Sequence, residues 1–484
     1  MIPDNAVTSN ARSGRICVNC TTSIPSLEAD TICPRCGMGY PTICRIPILT
    51  THPHVVLNGL RSYLDRPEES GAATDNQRAR LAATYKRLAA ARDARATNLA
   101  LVRELVGRIP DCPNPYATYH FASSIAELGF TGWYSEHILP YFAQDWTDSP
   151  SFAHAVTYVI SSMTRTIRER HSVCVLGAGA CGLAYALADY FDKVEAFDLS
   201  ALALVLAKRV IEGGEFSIRL RPPGGTWHSV AIRASQGPRR NVRFAVADAL
   251  RIPLPDASQH AVVTQYLMDV VGNPSAIIAE IRRILAPGGV WINYSLPFRL
   301  PDEPVGTGKP GEDEIAVFLE NAGFQVLENA PHRFAFLDFT SIDANAWQET
   351  QTVQFFAARS LSQPGDVTPP DRWIGWRRRD MSYDQEPIRF ADGRSASFVR
   401  TVKLGRAGSS TIDEVSTGWG GRYEMDARAT ECLKQLLEAI DGSRNLVQIH
   451  DILRESNPEI ALEELRQVLH FLSARDGLLH VGIG

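Results

Sequence analysis

No stretch of the 484-residue chain approaches the ~20 consecutive apolar residues that a bilayer span requires. The N-terminus, MIPDNAVTSNARSGRICVNC, also lacks the apolar core of a secretory signal. Both absences point to a cytoplasmic protein with no membrane among its partners. Excess positive charge is missing too. At a net charge of −5 the chain has no general footprint for tracking phosphate backbones, so nucleic acid is not an expected partner. Wholesale disorder is excluded by composition, with 45% hydrophobic and 21% charged residues. A disulfide framework is excluded by spacing. Of nine cysteines, four form two CxxC pairs and the rest are scattered singly through stretches such as VCVLG, which holds Cys174. That usage suits a reducing compartment and a metal. The length accommodates about three domains of roughly 100–200 residues.

Residues 15–47 form the first unit, with Cys17-x2-Cys20 and Cys33-x2-Cys36 separated by twelve residues. Four thiolates on two tight turns close a tetrahedron around a structural Zn²⁺, and Gly37 permits the turn that presents amides to the sulfurs. Rubredoxin-like iron and an unmetallated pair are the alternatives. Four protein ligands leave no open position for chemistry, and so short a segment needs a staple to fold. Cys44 lies outside both pairs and reads as packing.

Residues 74–170 read as a helical lid or substrate-wall region. Leu81, Tyr85, Leu88, Leu99, Val102 and Leu105 recur at helical spacing up to a break near Ile109-Pro110, and aromatic-rich helical stretches follow at 121–146 and 152–168. Plain packing is the competing role. Residues 361–425 are a Pro/Gly/Ser-rich linker with an arginine cluster, Arg377-Arg378-Arg379. Residues 426–484 read as helix (427–440), turn, helix (446–454), helix (460–475) and a short strand, an order that resembles a winged-helix fold. Ten acidic residues against six basic ones make this module a poor DNA binder. Capture of a precursor peptide, self-association and a purely structural cap remain its candidate roles.

Between these lies an α/β core, residues 171–360. HSVCVLGAGACGLAYALADYF reads as strand, glycine loop and helix. Gly177 and Gly179, with Ala178 between them, let backbone approach a nucleotide cofactor, and Gly182 allows helix against strand. A lone GxGxxG is shared by several cofactor classes. KVEAFDLS then ends a strand at Asp198, sixteen residues after Gly182 and next to Leu199, where a carboxylate accepts both ribose hydroxyls. NVRFAVADAL ends another at Asp248-Ala249. HAVVTQYLMD runs through Gln265 and Tyr266 to Asp269, and ILAPGGVWINYS supplies a fifth strand after a PGG turn.

Strand, Asp, strand, Asp, strand and then L-x-PGG resembles the class I S-adenosylmethionine-dependent methyltransferases; redox Rossmann enzymes lack the PGG turn. YLMDVVGNPSAIIAEIRRILAPGGVWINYS, VLGAGACGLAYALA and AFDLSALALVLAKRVIEGG are further similar to the carnosine N-methyltransferase family over most of 120–360. The resemblance implies a Rossmann-like seven-stranded sheet, S-adenosylmethionine as cofactor, and N-methylation of an imidazole- or amine-bearing small molecule or peptide. It places Asp248 beside the adenine, and Gln265 and Tyr266 in the cofactor site. The flanking zinc and winged-helix-like modules are foreign to that family. The chain also departs from it in reading Phe298-Arg299-Leu300 where the family carries a substrate-site histidine.

Methyl transfer is an in-line displacement, so the protein chiefly aligns the nucleophile. Asp269, at the carboxyl end of the fourth strand, is the candidate catalytic residue, accepting the nucleophile's N–H; a helix N-cap is its alternative role. Asn293, Tyr294 and Arg299 are candidate substrate contacts, Arg299 for a substrate carboxylate. Two other functions stay open: peptide tailoring in a natural-product pathway with leader binding by the C-terminal module, and a cofactor-binding scaffold without turnover.

Overall fold

The computed structural model describes residues 14–24, 29–65, 82–112, 138–270, 274–298, 311–346, 349–361 and 446–462, with short strands and isolated positions elsewhere beyond 361. Two ribbons open the chain: β1 (Arg15–Ile16) with β2 (Ser23–Ile24), and β3 (Thr31–Ile32) with β4 (Gly39–Tyr40). They carry the CxxC turns. β5 (Thr42–Ile43) then pairs with β6 (Ile46–Leu49) across a two-residue turn, Cys44-Arg45, with φ of 47° and 62°. Two positive φ values are what a type I′ hairpin demands.

Among the described residues the helices that follow are α1 (Pro53–Leu64), α2 (Ala82–Val106), α3 (Leu139–Trp146) and α4 (Pro150–Thr166). The long helix expected from Thr74 is described from Ala82 and stops at Val106, where Gly107 turns the chain at φ +61°. Positions 74–81 and 121–137 of the expected helices lie outside the described residues. α4 starts where the sequence prescribes: Ser149 accepts from the Phe152 amide at 3.4 Å, and Pro150 occupies the first turn.

The core alternates strand and helix: β7 (Ser172–Leu176), α5 (Gly182–Leu187), β8 (Lys193–Asp198), α6 (Ala201–Ile211), the hairpin β9 (Phe216–Leu220) and β10 (His228–Ile232), then β11 (Val242–Ala247) and β12 (Gln259–Gln265). It ends with α7 (Pro274–Ile284), β13 (Leu285–Ser295), α8 (Glu312–Asn321), β14 (Phe324–Phe336) and β15 (Glu349–Ser360). The sheet order is β14-β15-β13-β12-β7-β8-β11-β6-β5. Strands from β13 through β6 are parallel, and β15 runs antiparallel between β13 and β14. Its alternating residues fall into two cores, Val173 and Val175 on one face, Cys174 and Leu176 on the other.

The seven strands from β14 to β11 are the expected seven-stranded α/β Rossmann-like core, and the N-terminal segment extends that sheet to nine by adding β6 and β5 beyond β11. All four β6 residues, IPIL, are buried, and they cover the backbone edge that β11 would otherwise expose. The cysteine module is therefore continuous with the core. Arg15 seals the junction: it bonds the Phe244 carbonyl at 2.9 Å and fully buried Glu195 at 2.6 Å, while Lys193 holds the other Glu195 oxygen at 2.7 Å.

Beyond residue 361, α9 (Leu446–Ser456) matches the expected helix, and Trp373–Trp376 pairs antiparallel with Leu479–Gly482. The helices expected at 427–440 and 460–475 fall largely outside the described residues, as do Arg377–Arg379. Among the described residues, no helix is long and apolar enough to cross a membrane.

Candidate active site

The carboxyl ends of β7, β8, β11 and β12 share one edge of the sheet, the edge where ligands bind in open α/β folds. Gly177 and Gly179 have φ of +67° and +51°, values that side-chain-bearing residues rarely adopt. A Cβ at Gly177 would press on Leu267 at 3.2 Å, whereas one at Gly179 would meet nothing nearer than 3.9 Å. The backbone at Gly179 thus faces open space, as a cradle for a ligand must. Ala178 is buried and its amide donates to the Phe197 carbonyl, tying the loop to β8.

Asp198 stands at the lip of that loop. Its oxygens accept from the amides of Gly179 at 2.8 Å and Ser200 at 2.7 Å, which aim the carboxylate, and burial pushes its pKa up. Leu199 follows, packed on the first core. At the end of β11, Asp248 accepts from the Leu250 amide at 3.0 Å, and Ala249 leans on the second core. Glycine loop, Asp198 and Asp248 thus stand in the order of adjacent strands, fitting a nucleoside cofactor laid across β7, β8 and β11.

Gly182 serves a different end from the expected one. A Cβ there would lie 2.6 Å from the Phe152 ring and 2.7 Å from Asp145 Cβ, so it makes room for α3 and α4 rather than for a strand. Its amide donates to Asp145 Oδ2 at 3.0 Å, and Trp146 Nε1 donates to the Ala180 carbonyl at 2.9 Å. Helix α3 is a roof tied to the glycine loop by two side chains. It is propped from outside by hairpin β9–β10, where Phe142 and Phe216 rings stand 6.0 Å apart. Asp145 carries no signal in LPYFAQDW that sequence reasoning could have used.

The opposite wall comes from the chain leaving β12. Gln265 is half-buried. Tyr266, at φ +47°, turns its ring edge-on to Tyr294, 5.6 Å between centroids; their hydroxyls hydrogen-bond, and burial lifts the Tyr266 phenol to about 12. Half-buried Asp269 lies close enough to Tyr141 of α3 and to Tyr266 for its charge to raise both phenols, after burial. The next helix, α7, begins at Pro274, so Asp269 is not its cap.

Two expected substrate contacts fare differently. Asn293 is fully buried; it accepts from the Thr264 hydroxyl at 2.9 Å and donates to the Gln354 carbonyl at 2.9 Å, so its amide is spent between strands. Asn293 shares a strand face with Trp291, away from the Tyr294 side, and is corrected from pocket wall to sheet interior. Tyr294 is buried behind Tyr266. Arg299 lies outside the described residues, and neighbouring Phe298 is buried in the second core.

The cysteine module brings all four expected ligands together. Sγ atoms of Cys17, Cys20, Cys33 and Cys36 lie within 4.8 Å of one another, with Cys17–Cys36 at 3.6 Å and Cys20–Cys33 at 3.5 Å. A tetrahedral tetrathiolate with metal–sulfur bonds of about 2.3 Å has edges of about 3.8 Å, so the donor set fits a zinc-sized ion. Tyr40 Oη lies 3.0 Å from the Cys17 sulfur, and the Asn19 amide donates to that sulfur at 3.4 Å. Gly37, at φ +72°, closes the second turn. Cys44 is exposed, its thiol directed at the Val106 carbonyl.

Comparison with known proteins agrees with this layout. Residues 175–293 match the model of the family described as methyltransferase domain. The match runs from the end of β7 into β13 and includes the glycine loop, Asp198, Asp248 and Asp269. A protein of Mycolicibacterium smegmatis, named "Probable S-adenosylmethionine-dependent methyltransferase", is 31% identical over 106 residues, 20% of this chain. The chain spans only 40% of that relative's length. Solved structures of S-adenosylmethionine-dependent methyltransferases from Methanosarcina mazei (16% identity, 42% of this chain and 98% of that one, TM-score 0.30) and Aquifex aeolicus (16%, 49% and 97%, TM-score 0.28) are similar.

Proposed function

We propose that the protein is an S-adenosylmethionine-dependent N-methyltransferase acting on an imidazole- or amine-bearing small molecule or peptide, in a reducing, cytoplasmic setting. The observation that carries the reading is the pairing of an open glycine loop with a carboxylate, Asp269, between two phenols across the cleft. When bound, S-adenosylmethionine supplies a sulfonium methyl group that a nucleophile takes in line, leaving S-adenosylhomocysteine.

The chain's own groups do the rest. Gly177 and Gly179 admit the cofactor to the backbone, Asp198 takes the ribose hydroxyls, and Asp248 and Ala249 edge the adenine pocket. Asp269 accepts an N–H of the acceptor, turns the nitrogen lone pair toward the methyl group, and stabilises positive charge as the N–C bond forms. The proton then leaves the nitrogen for solvent. Tyr141 and Tyr266 offer ring faces and hydroxyls to a nitrogen acceptor that gains charge. The stretch Phe298-Arg299-Leu300, with Phe298 buried, stands where the family carries a histidine and favours an acceptor class wider than carnosine. In the same reading Cys17, Cys20, Cys33 and Cys36 hold a structural Zn²⁺, which staples the segment that extends the sheet.

The test is calorimetric titration with S-adenosylmethionine and S-adenosylhomocysteine, followed by a mass-spectrometric methyl-transfer screen across carnosine, histidine, simple amines and histidine-containing peptides. Binding with a singly methylated product is the expected result. Binding without any product in the screen would favour the scaffold reading, and absence of binding would overturn the assignment.

A further inference from the structure

Asp145 is the one deeply set carboxylate of the cleft for which the proposed reaction has no use. It sits on α3, keeps a margin of accessible surface, and is in contact with the last residue of the glycine loop. One oxygen accepts from the Gly182 amide at 3.0 Å, and its other bonding partner is the neighbouring Gln144 side chain. Among the described residues no lysine, arginine or histidine forms an ion pair with it. Glu195, a fully buried carboxylate, is by contrast flanked by Arg15 and Lys193. A desolvated carboxylate without a cation is costly unless a ligand supplies one.

The surroundings say where that cation belongs. Gly182 has no room for a side chain because Asp145 and Phe152 fill it, so the carboxylate is held against the loop by packing as well as by hydrogen bonding. Asp145 is also near enough to Tyr266 and Cys181 to raise both their pKa values, which puts it between the β7 and β12 ends of the cleft, over the glycine loop. A cofactor whose ribose is held by Asp198 and whose adenine lies toward Asp248 must place its amino-acid tail on the remaining side, toward α5.

We infer that Asp145 binds the α-ammonium group of the cofactor's amino-acid tail, so that helix α3 closes the cleft by a charge it shares with the ligand. The inference rests on the methyltransferase reading. It makes Asp145 a cofactor-binding residue supplied from outside the β7–loop–α5 unit, and makes cofactor binding the event that neutralises the roof. Burial that lifts this carboxyl to about 7 in the free protein is consistent with an absent counter-cation.

Asp145→Asn is the informative variant, since its amide oxygen still accepts from Gly182 while the charge is gone. Calorimetry on the full chain would use three probes: S-adenosylmethionine, S-adenosylhomocysteine and 5′-methylthioadenosine, which keeps the nucleoside but has no amino-acid tail. The expected result is a Kd raised on the order of 10–100-fold for the first two, as for a lost charge-assisted hydrogen bond, and within about twofold of wild type for the third. Equal weakening of all three probes would mark Asp145 as structural, and no weakening would mark it as a bystander; either overturns the inference and leaves the methyltransferase reading standing. A wild-type chain that binds none of the three overturns both.

Discussion

The glycine loop and helix α3 face each other across the same cleft but are held there by different forces. Backbone holds the loop: positive φ at Gly177 and Gly179, an amide from Ala178 to the Phe197 carbonyl, and an amide from Gly179 to Asp198. Side chains hold the helix: Asp145 to the Gly182 amide, Trp146 to the Ala180 carbonyl, Phe142 against Phe216. The floor is thus a local property of a strand–loop–helix unit that neighbouring strands reinforce. The roof is a long-range property, assembled from segments 34 or more residues apart in sequence. The floor can therefore be read from neighbours along the chain, whereas the roof depends on contacts between segments distant in sequence.

Four experiments sharpen that contrast. The largest effect is expected at the buttress of the floor, where Arg15→Met leaves Glu195 buried with Lys193 alone. Stability should drop by about 3–5 kcal/mol, read from denaturation midpoints. An unchanged midpoint would mean that the cysteine module is not integral to the sheet. Next, Asp198→Ala removes the acceptor for the Gly179 and Ser200 amides as well as the proposed ribose contact, and S-adenosylmethionine affinity should fall by about 3 kcal/mol, roughly 100-fold.

The roof responds to pH. Burial places Asp145 near 7 rather than in the usual carboxylate range, so the native state binds this proton more tightly than the unfolded chain does. Its contribution therefore favours folding below about 4 and is lost as pH climbs toward 7. Asp145→Asn does not titrate, so without ligand it should gain on wild type by about 3–4 kcal/mol between pH 4 and pH 8. Equal thermal midpoint differences at both pH values would remove the carboxylate from the roof's account. The smallest change is Tyr141→Phe, which keeps the ring and deletes a hydroxyl beside Asp269. It should alter kcat/KM by about 1 kcal/mol at most while S-adenosylmethionine binding stays put.

Asp198 and Asp248 could be read directly from the chain because each ends an apolar run, and a strand terminus beside a glycine loop has few other uses. Asn293 misled for a related reason. Position along a strand tells which residues share a face, but not which face meets the cleft, and Asn293 falls on the face with Trp291. Gly182 was recognised as a close-packing glycine, though its neighbours turned out to be α3 and α4. Strand β6 has no signature in the sequence, since four residues with a proline among them carry no periodicity.

What the sequence determined by itself was whatever depends on neighbours along the chain: the tight turns of the two CxxC pairs, the glycine loop, the carboxylates ending strands, and the strand–helix alternation that forces a parallel sheet. Tertiary structure alone decided that the cysteine module extends the sheet through β6, that Asn293 faces inward, and that α3 brings Asp145 and Tyr141 over the cleft. Those outcomes depend on which buried surfaces and unpaired edges find each other across more than a hundred residues, and on how side-chain charge is desolvated there. Neither quantity is written in local spacing.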